Sequence, residues 1–270
     1  MEIDHIWRFS PLLDEFFAEI ADLPLGRLLT LAVSSLARER DSVRLEGYMT
    51  MATTLITGAN RGVGAEMAQQ LTTRGDHVIG CARSGEAPTA SEAWLLDVTD
   101  PASLEALERR LENRALDLLV CNAGALIGRG QIEDDVYTHE AFANVLAVNV
   151  TGVFMTIRAC LPALRRSSLS KIAVISSQMG SSERAKGNAY LYRASKAAAT
   201  NLAVSMSKEL AAEGIAVGAY HPGWVRTDMG GSEADISVEE SAEGLIQRFD
   251  ALSVETAGCF EFYSGEPIPF

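Results

Sequence analysis

Thr57-Gly58-Ala59-Asn60-Arg61-Gly62-Val63-Gly64 leaves a short β-branched run, 53–57, and enters a pattern of helical spacing that begins at Gly62. Glycine reaches φ > 0 without steric penalty and lets a backbone approach a bound group closely, while a helix start behind it offers unpaired N–H donors and the positive end of a dipole. Strand, glycine loop and helix start in that order suit the pyrophosphate of a dinucleotide, with Gly58, Asn60, Arg61, Gly62, Val63 and Gly64 around the phosphates. The spacing T-G-x-x-x-G-x-G departs from the commoner G-x-G-x-x-G, and a plain strand-to-helix turn can also carry three glycines, so the rest of the chain has to agree.

It does so downstream. Short aliphatic runs at 53–57, 77–81, 93–96, 117–121, 171–176, 215–220 and 258–262 alternate with helical patterns at 62–73, 101–111, 138–166, 189–212 and 238–251. That alternation predicts an α/β fold of the Rossmann type: a doubly wound, parallel, seven-stranded sheet with helices on both faces, one domain over residues 52–270. Upstream, residues 1–51 read as a helical N-terminal extension. Ser10-Pro11 begins an amphipathic helix that Pro24 stops, and a second helical pattern covers about 25–40. Three readings of the extension stand open: translation that starts at Met51, packing on the core or a partner subunit, and a membrane surface. The last is disfavoured because the polar face carries Asp14, Glu15, Glu19 and Asp22 where lysine and arginine would be wanted.

Composition narrows the function classes. The 270 residues are 47% hydrophobic and 22% charged, which excludes disordered and fibrous chains. A net charge of −13 opposes nucleic acid and anionic lipid, so neither is expected as a partner. Cys81, Cys121, Cys160 and Cys259 lie far apart with no C-x-x-C pair, pointing to a reducing compartment, and no cluster of His, Cys and carboxylates is spaced as a metal site. The apolar stretch 28–37 is about half the ~20 residues of a membrane span, and the acidic start Met1-Glu2-Ile3-Asp4 does not resemble a secretory signal. A cytoplasmic protein without a transmembrane segment is the expectation.

The second strand ends Gly80-Cys81-Ala82-Arg83. An acidic residue there would accept hydrogen bonds from the ribose of NAD; none is present, and Arg83 and Arg61 can flank a 2′-phosphate from two sides. NADP(H) is therefore the preferred cofactor, with NAD(H) also compatible. Farther on, Tyr192-Arg193-Ala194-Ser195-Lys196 puts a phenol and an ammonium at i and i+4 on one helix face, where the cation would bring the phenol's acidity toward neutral pH for proton transfer.

With these motifs in order, the chain resembles the short-chain dehydrogenase/reductase family from about Thr53 to its end. Cys121-Asn122-Ala123-Gly124 is similar to the family's N-N-A-G, with Cys for the first Asn, and Asp97 before Val98 matches the family's adenine-contacting aspartate. Asn149 and Ser177 match the asparagine and serine of the family's tetrad, and Pro222-Gly223-Trp224-Val225-Arg226-Thr227 resembles its P-G loop, whose threonine holds the nicotinamide carboxamide. The resemblance implies Asn149, Ser177, Tyr192 and Lys196 as the catalytic set. It adds Arg83, Asp97, Val98, Asn122, Ala123, Gly124, Tyr192, Lys196, Pro222, Gly223, Val225 and Thr227 to the cofactor-binding residues. Ser176 would face the other side of the strand end. The 15 residues from Ser177 to Tyr192 suggest a small insertion near 183–187 at the mouth of the site.

Within the family the ending and the P-G segment are most similar to the C-factor and sniffer-type carbonyl reductases. The implied activity is hydride transfer between nicotinamide and a small carbonyl or alcohol, with Ser177 holding the substrate oxygen and Tyr192 passing the proton. Lys196 would lower the Tyr192 pKa, and Asn149 would keep a bent helix and a water leading to Lys196. Met179, Tyr190 and Trp224 are the apolar contacts available to a substrate, and His221 reads as a structural or rim residue. The resemblance also implies a homo-oligomer, dimer or tetramer, through the helices from Thr138 and Ala189. The rival reading is a dinucleotide-binding signalling or regulatory protein with little turnover.

Overall fold

The computed structural model describes residues 51–270, so the helices expected in the first 50 residues lie outside the described residues. Seven strands, β1 (Thr53–Thr57), β2 (His77–Ala82), β3 (Glu92–Leu95), β4 (Leu118–Cys121), β5 (Lys171–Ile175), β6 (Ala216–His221) and β7 (Phe260–Phe262), form one parallel sheet. The order is β3-β2-β1-β4-β5-β6-β7. The chain thus builds outward from β1 to β3, then returns past β1 and builds the other way. The resulting switch between β1 and β4 leaves a crevice at their C-terminal ends, where this kind of sheet takes its ligands.

Adjacent residues of each central strand feed opposite faces. Leu55, Ile79, Leu119, Ile172, Val174 and Val217 belong to one core, while Ile56, Val78, Val120, Ala173 and Tyr220 belong to the other. This period of two under helices on both sides explains why the central strands read as continuous apolar runs. The helices are α1 (Gly62–Arg74), α2 (Pro101–Arg110), α3 (His139–Leu146), α4 (Gly152–Leu164), α5 (Tyr190–Leu210) and α6 (Val238–Ala251). α1 and α6 cover the second core; α2, α4 and α5 cover the first.

Local chemistry sets several ends. Gly75 in the left-handed region (φ 102) closes α1, Asp100 accepts from the Ala102 and Ser103 N–H groups at the start of α2, and Ser237 caps α6. The single helix expected over 138–166 is α3 and α4 joined by a π turn, Ala147–Thr151, whose Asn149 is fully buried. Among the described residues His139–Leu164 is also long and apolar enough to cross a membrane by length and composition, a feature the sequence reading did not register. It packs on α2, α5 and β4, which explains its apolar content as a core helix pair.

Candidate active site

The glycine loop is built as a cradle. Gly58 and Gly62 have φ of 69° and 55°, and a Cβ on Gly64 would stand 2.3 Å from the Gly58 carbonyl oxygen. Asn122 Nδ2 donates to the Thr57 and Gly58 carbonyls at 2.9 and 3.1 Å, and Thr57 Oγ1 accepts from the Asn122 and Ala123 N–H groups at 3.0 and 2.9 Å. The ends of β1 and β4 are thereby fixed to each other. The N-cap Arg61 supplies no side-chain cap to α1, and no acidic residue occupies its first turn, so the helix start keeps its donors for an anion.

The cradle opens into a cavity of about 1860 Å³. Gly58, Asn60, Arg61, Gly62, Val63, Gly64, Arg83, Asp97, Val98, Asn122, Ala123, Gly124, Pro222, Gly223, Val225 and Thr227 all line it, as do Ser177, Tyr192 and Lys196. Asp97 uses Oδ1 to accept from the Thr99 N–H and hydroxyl, an Asx turn that fixes it in the cavity lining. Thr227 lies over the loop, 3.4 Å from where a Gly62 Cβ would be. Gly223 has φ 89, and a Cβ there would meet Ile236 at 2.4 Å.

Asn149 is the exception among the expected catalytic residues: it lies behind the cavity wall. Its Oδ1 accepts from Ala125 N–H at 2.7 Å, and its Nδ2 donates to the Ala125 carbonyl at 2.8 Å and to Ser195 Oγ at 2.9 Å. These bonds occupy the amide and tie the loop after β4 to α5. The π turn thus points the Asn149 side chain into the protein, where it holds other elements in place.

At the reacting end, Ser176 and Ser177 face apart as the strand geometry requires. Ser176 Oγ donates to the Lys196 carbonyl at 3.1 Å and meets Thr200 Oγ1 at 2.6 Å, whereas Ser177 Oγ accepts from Met179 N–H and lies against the Tyr192 phenol. Burial pushes Tyr192 up to about 12, against the pull of the Ser177 hydroxyl and the Arg129 guanidinium. The expected lowering by Lys196 is not found. Its Nζ stands 5.7 Å from the Tyr192 ring centre but donates to the Ile175 carbonyl at 2.8 Å, and burial brings its own pKa down to about 8.

Arg61 Nη1 forms an exposed ion pair with Asp228 at 2.5 Å, and Arg83 is exposed just after β2. One further expectation changes. Tyr190 packs edge-on against Tyr137 at 5.8 Å and does not line the cavity; Met179 and Trp224 do.

The sequence reading passed over Arg129 and undervalued His221. His221, at the end of β6, is only 6% exposed, stands edge-on to Phe262 at 5.4 Å and lines the cavity. Neither ring nitrogen has a hydrogen-bond partner among the described residues, and burial, with the charges of Lys196 and Arg184 behind it, holds its pKa at about 4. In the segment 183–187 where an insertion was expected, Glu183, Arg184 and Lys186 line the cavity, as does Asn188 after it. Gly128-Arg129-Gly130 was the available signal for Arg129, since paired glycines hold a turn around it.

The short chain dehydrogenase family model matches residues 52–236. The chain is 37% identical to the C-signal of Myxococcus xanthus over 156 residues, 57% of this chain and 93% of that protein. Its structure is similar to NADPH-bound carbonyl reductase from chicken fatty liver, with a TM-score of 0.73, 30% identity and coverage of 82% of this chain and 99% of that one. It is also similar to the carbonyl reductase Sniffer of D. melanogaster, with a TM-score of 0.75, 26% identity and coverage of 82% and 100%.

Proposed function

The chain belongs to the short-chain dehydrogenase family, and on that premise we propose that it is an NADP(H)-dependent oxidoreductase acting on a small carbonyl or alcohol. One observation carries the reading: the glycine cradle and the buried Ser177, Tyr192 and Lys196 side chains line a single cavity. The residues fit a dinucleotide phosphate. Gly64 has no room for a Cβ, the start of α1 is uncapped, and Arg83 ends β2 where a carboxylate would disfavour a 2′-phosphate. The NADPH carried by the chicken carbonyl reductase supports the same choice.

When bound, the nicotinamide supplies or accepts the hydride. Ser177 and Tyr192 then present two hydroxyls to the substrate oxygen, where negative charge develops during reduction. Tyr192 gives that oxygen its proton, completing the alcohol, and takes a proton back through Lys196. An ammonium with a pKa near 8 exchanges protons readily around neutral pH, which suits it to that supply. Asn149 holds Ala125 and Ser195 so that the wall beside Gly124 and the Tyr192 helix keep their spacing. Met179 and Trp224 offer apolar contact to the substrate body.

Residues 1–51 are assigned as an extension to a catalytic domain of 52–270, and the catalytic domain as a homo-oligomer of the cytoplasm. Free thiols at Cys81, Cys121, Cys160 and Cys259 support a reducing compartment. The likeness to C-signal favours a second reading, a dinucleotide-binding signalling protein with little turnover. NADPH oxidation over a panel of aldehydes, ketones and quinones separates the two. The reductase reading expects turnover that Tyr192→Phe reduces at least about 100-fold while NADPH binding persists. Tight NADPH binding with no turnover on any compound favours signalling.

A further inference from the structure

We infer that the substrate of this cavity carries a carboxylate in addition to its carbonyl, and that Arg129 is the residue that receives it; this rests on the reductase reading above. Arg129 sits in a turn between two glycines, of which Gly128 holds a left-handed conformation and Gly130 leaves room for the Asp134 carboxylate. Gly128 has φ +73, and a Cβ on Gly130 would lie 1.3 Å from Asp134 Oδ2. The Gly130 carbonyl accepts from Ala189 N–H at 3.2 Å and from the Tyr137 hydroxyl at 2.9 Å. The backbone next to Arg129 is therefore pinned to the start of α5, three residues before Tyr192.

From that anchor the exposed side chain lines the cavity and donates Nη2 to the Met229 carbonyl on the segment after the P-G turn. This uses one of five N–H donors, and no carboxylate pairs with Arg129 among the described residues. Arg129 is also near enough to Tyr192 to pull the phenol's pKa down against the effect of burial.

The neighbouring cations are committed elsewhere. Arg193 is held by the Met179, Arg184 and Asn188 carbonyls, and Arg184 donates to Gln178 Oε1 and stacks on Phe262. Lys186 and Glu183 share this mouth, and Arg129 is the guanidinium near Tyr192 that keeps donors to spare. Buried His221, which also lines the cavity with both nitrogens unpartnered among the described residues, adds a polar surface that an all-apolar ligand would leave unsatisfied.

The test compares benzaldehyde with 4-carboxybenzaldehyde under saturating NADPH, with wild type, Arg129→Leu and Arg129→Lys, and titrates benzoate against the tryptophan fluorescence of the NADPH complex. Wild type is expected to favour the carboxylated aldehyde by at least about tenfold in kcat/KM, and Arg129→Leu to cut that ratio about 30-fold, chiefly through KM. Arg129→Lys should restore part of it, and benzoate should bind wild type but not Arg129→Leu. An equal fall on both aldehydes, or no preference in wild type, overturns the inference. Benzoate binding that depends on Arg129 without turnover of either aldehyde would uphold the anion site and overturn the reductase reading.

Discussion

His221 has an imidazole among Phe262, Lys196 and Arg184 that must remain neutral, because protonation would place a third cation in a space without water-like screening. Its pKa falls from 6.5 to about 4 on folding, so the unfolded chain binds the proton first as pH drops. Stability is accordingly full above about 6.5 and declines through pH 4, by on the order of 3 kcal/mol at the low end. Urea melts at pH 7 and pH 4.5 should show this loss in wild type and a smaller one in His221→Phe; equal losses would put the acid sensitivity elsewhere. Tyr192 shows the complementary case. Its place on one face with Lys196 was legible from a spacing of four, but its acidity was not, since burial depends on elements brought in from β5 and the loop after β4.

The π turn at Ala147–Thr151 shows what an element contributes beyond a helical pattern. One extra residue in the turn directs Asn149 inward, where it satisfies both backbone groups of Ala125 and reaches Ser195 on α5. Asn149→Ala removes the partner of both half-buried Ala125 groups and empties a fully buried site, and a loss of about 1–3 kcal/mol in unfolding free energy is expected. NADPH oxidation should fall with it, while Asn149→Asp, which keeps the acceptor to Ala125 N–H but sets a buried carboxylate against the Ala125 carbonyl, loses at least as much stability. A thermal melt of the two variants checks the order. The sequence marked Asn149 through family resemblance but not the turn, because a π turn retains the apolar spacing of an α-helix and differs only in its hydrogen bonds. Strand ends moved for a similar reason: the 258–262 run narrows to Phe260–Phe262 because Gly258, with φ 84, is a turn residue.

For the whole molecule, the homo-oligomer proposed above is expected to pack through the α3–α4 pair, where Phe154 is 42% exposed. Light scattering of the full chain should give a dimer or tetramer, and Phe154→Glu should shift it toward smaller species; a wild-type monomer would refute this. By itself the sequence determined the alternation of strands and helices, the parallel sheet and the identity of the cavity's glycine, serine, tyrosine and lysine residues. Those are local signals, set by periodicity, by glycine's reach into positive φ and by motifs contiguous in the chain. Tertiary structure decided which groups face one another. It paired Arg61 with Asp228, withdrew Asn149 from the cavity, sealed in His221 and brought Arg129 beside Tyr192. Burial and electrostatics depend on distances between segments far apart in the chain, and no local pattern encodes those distances.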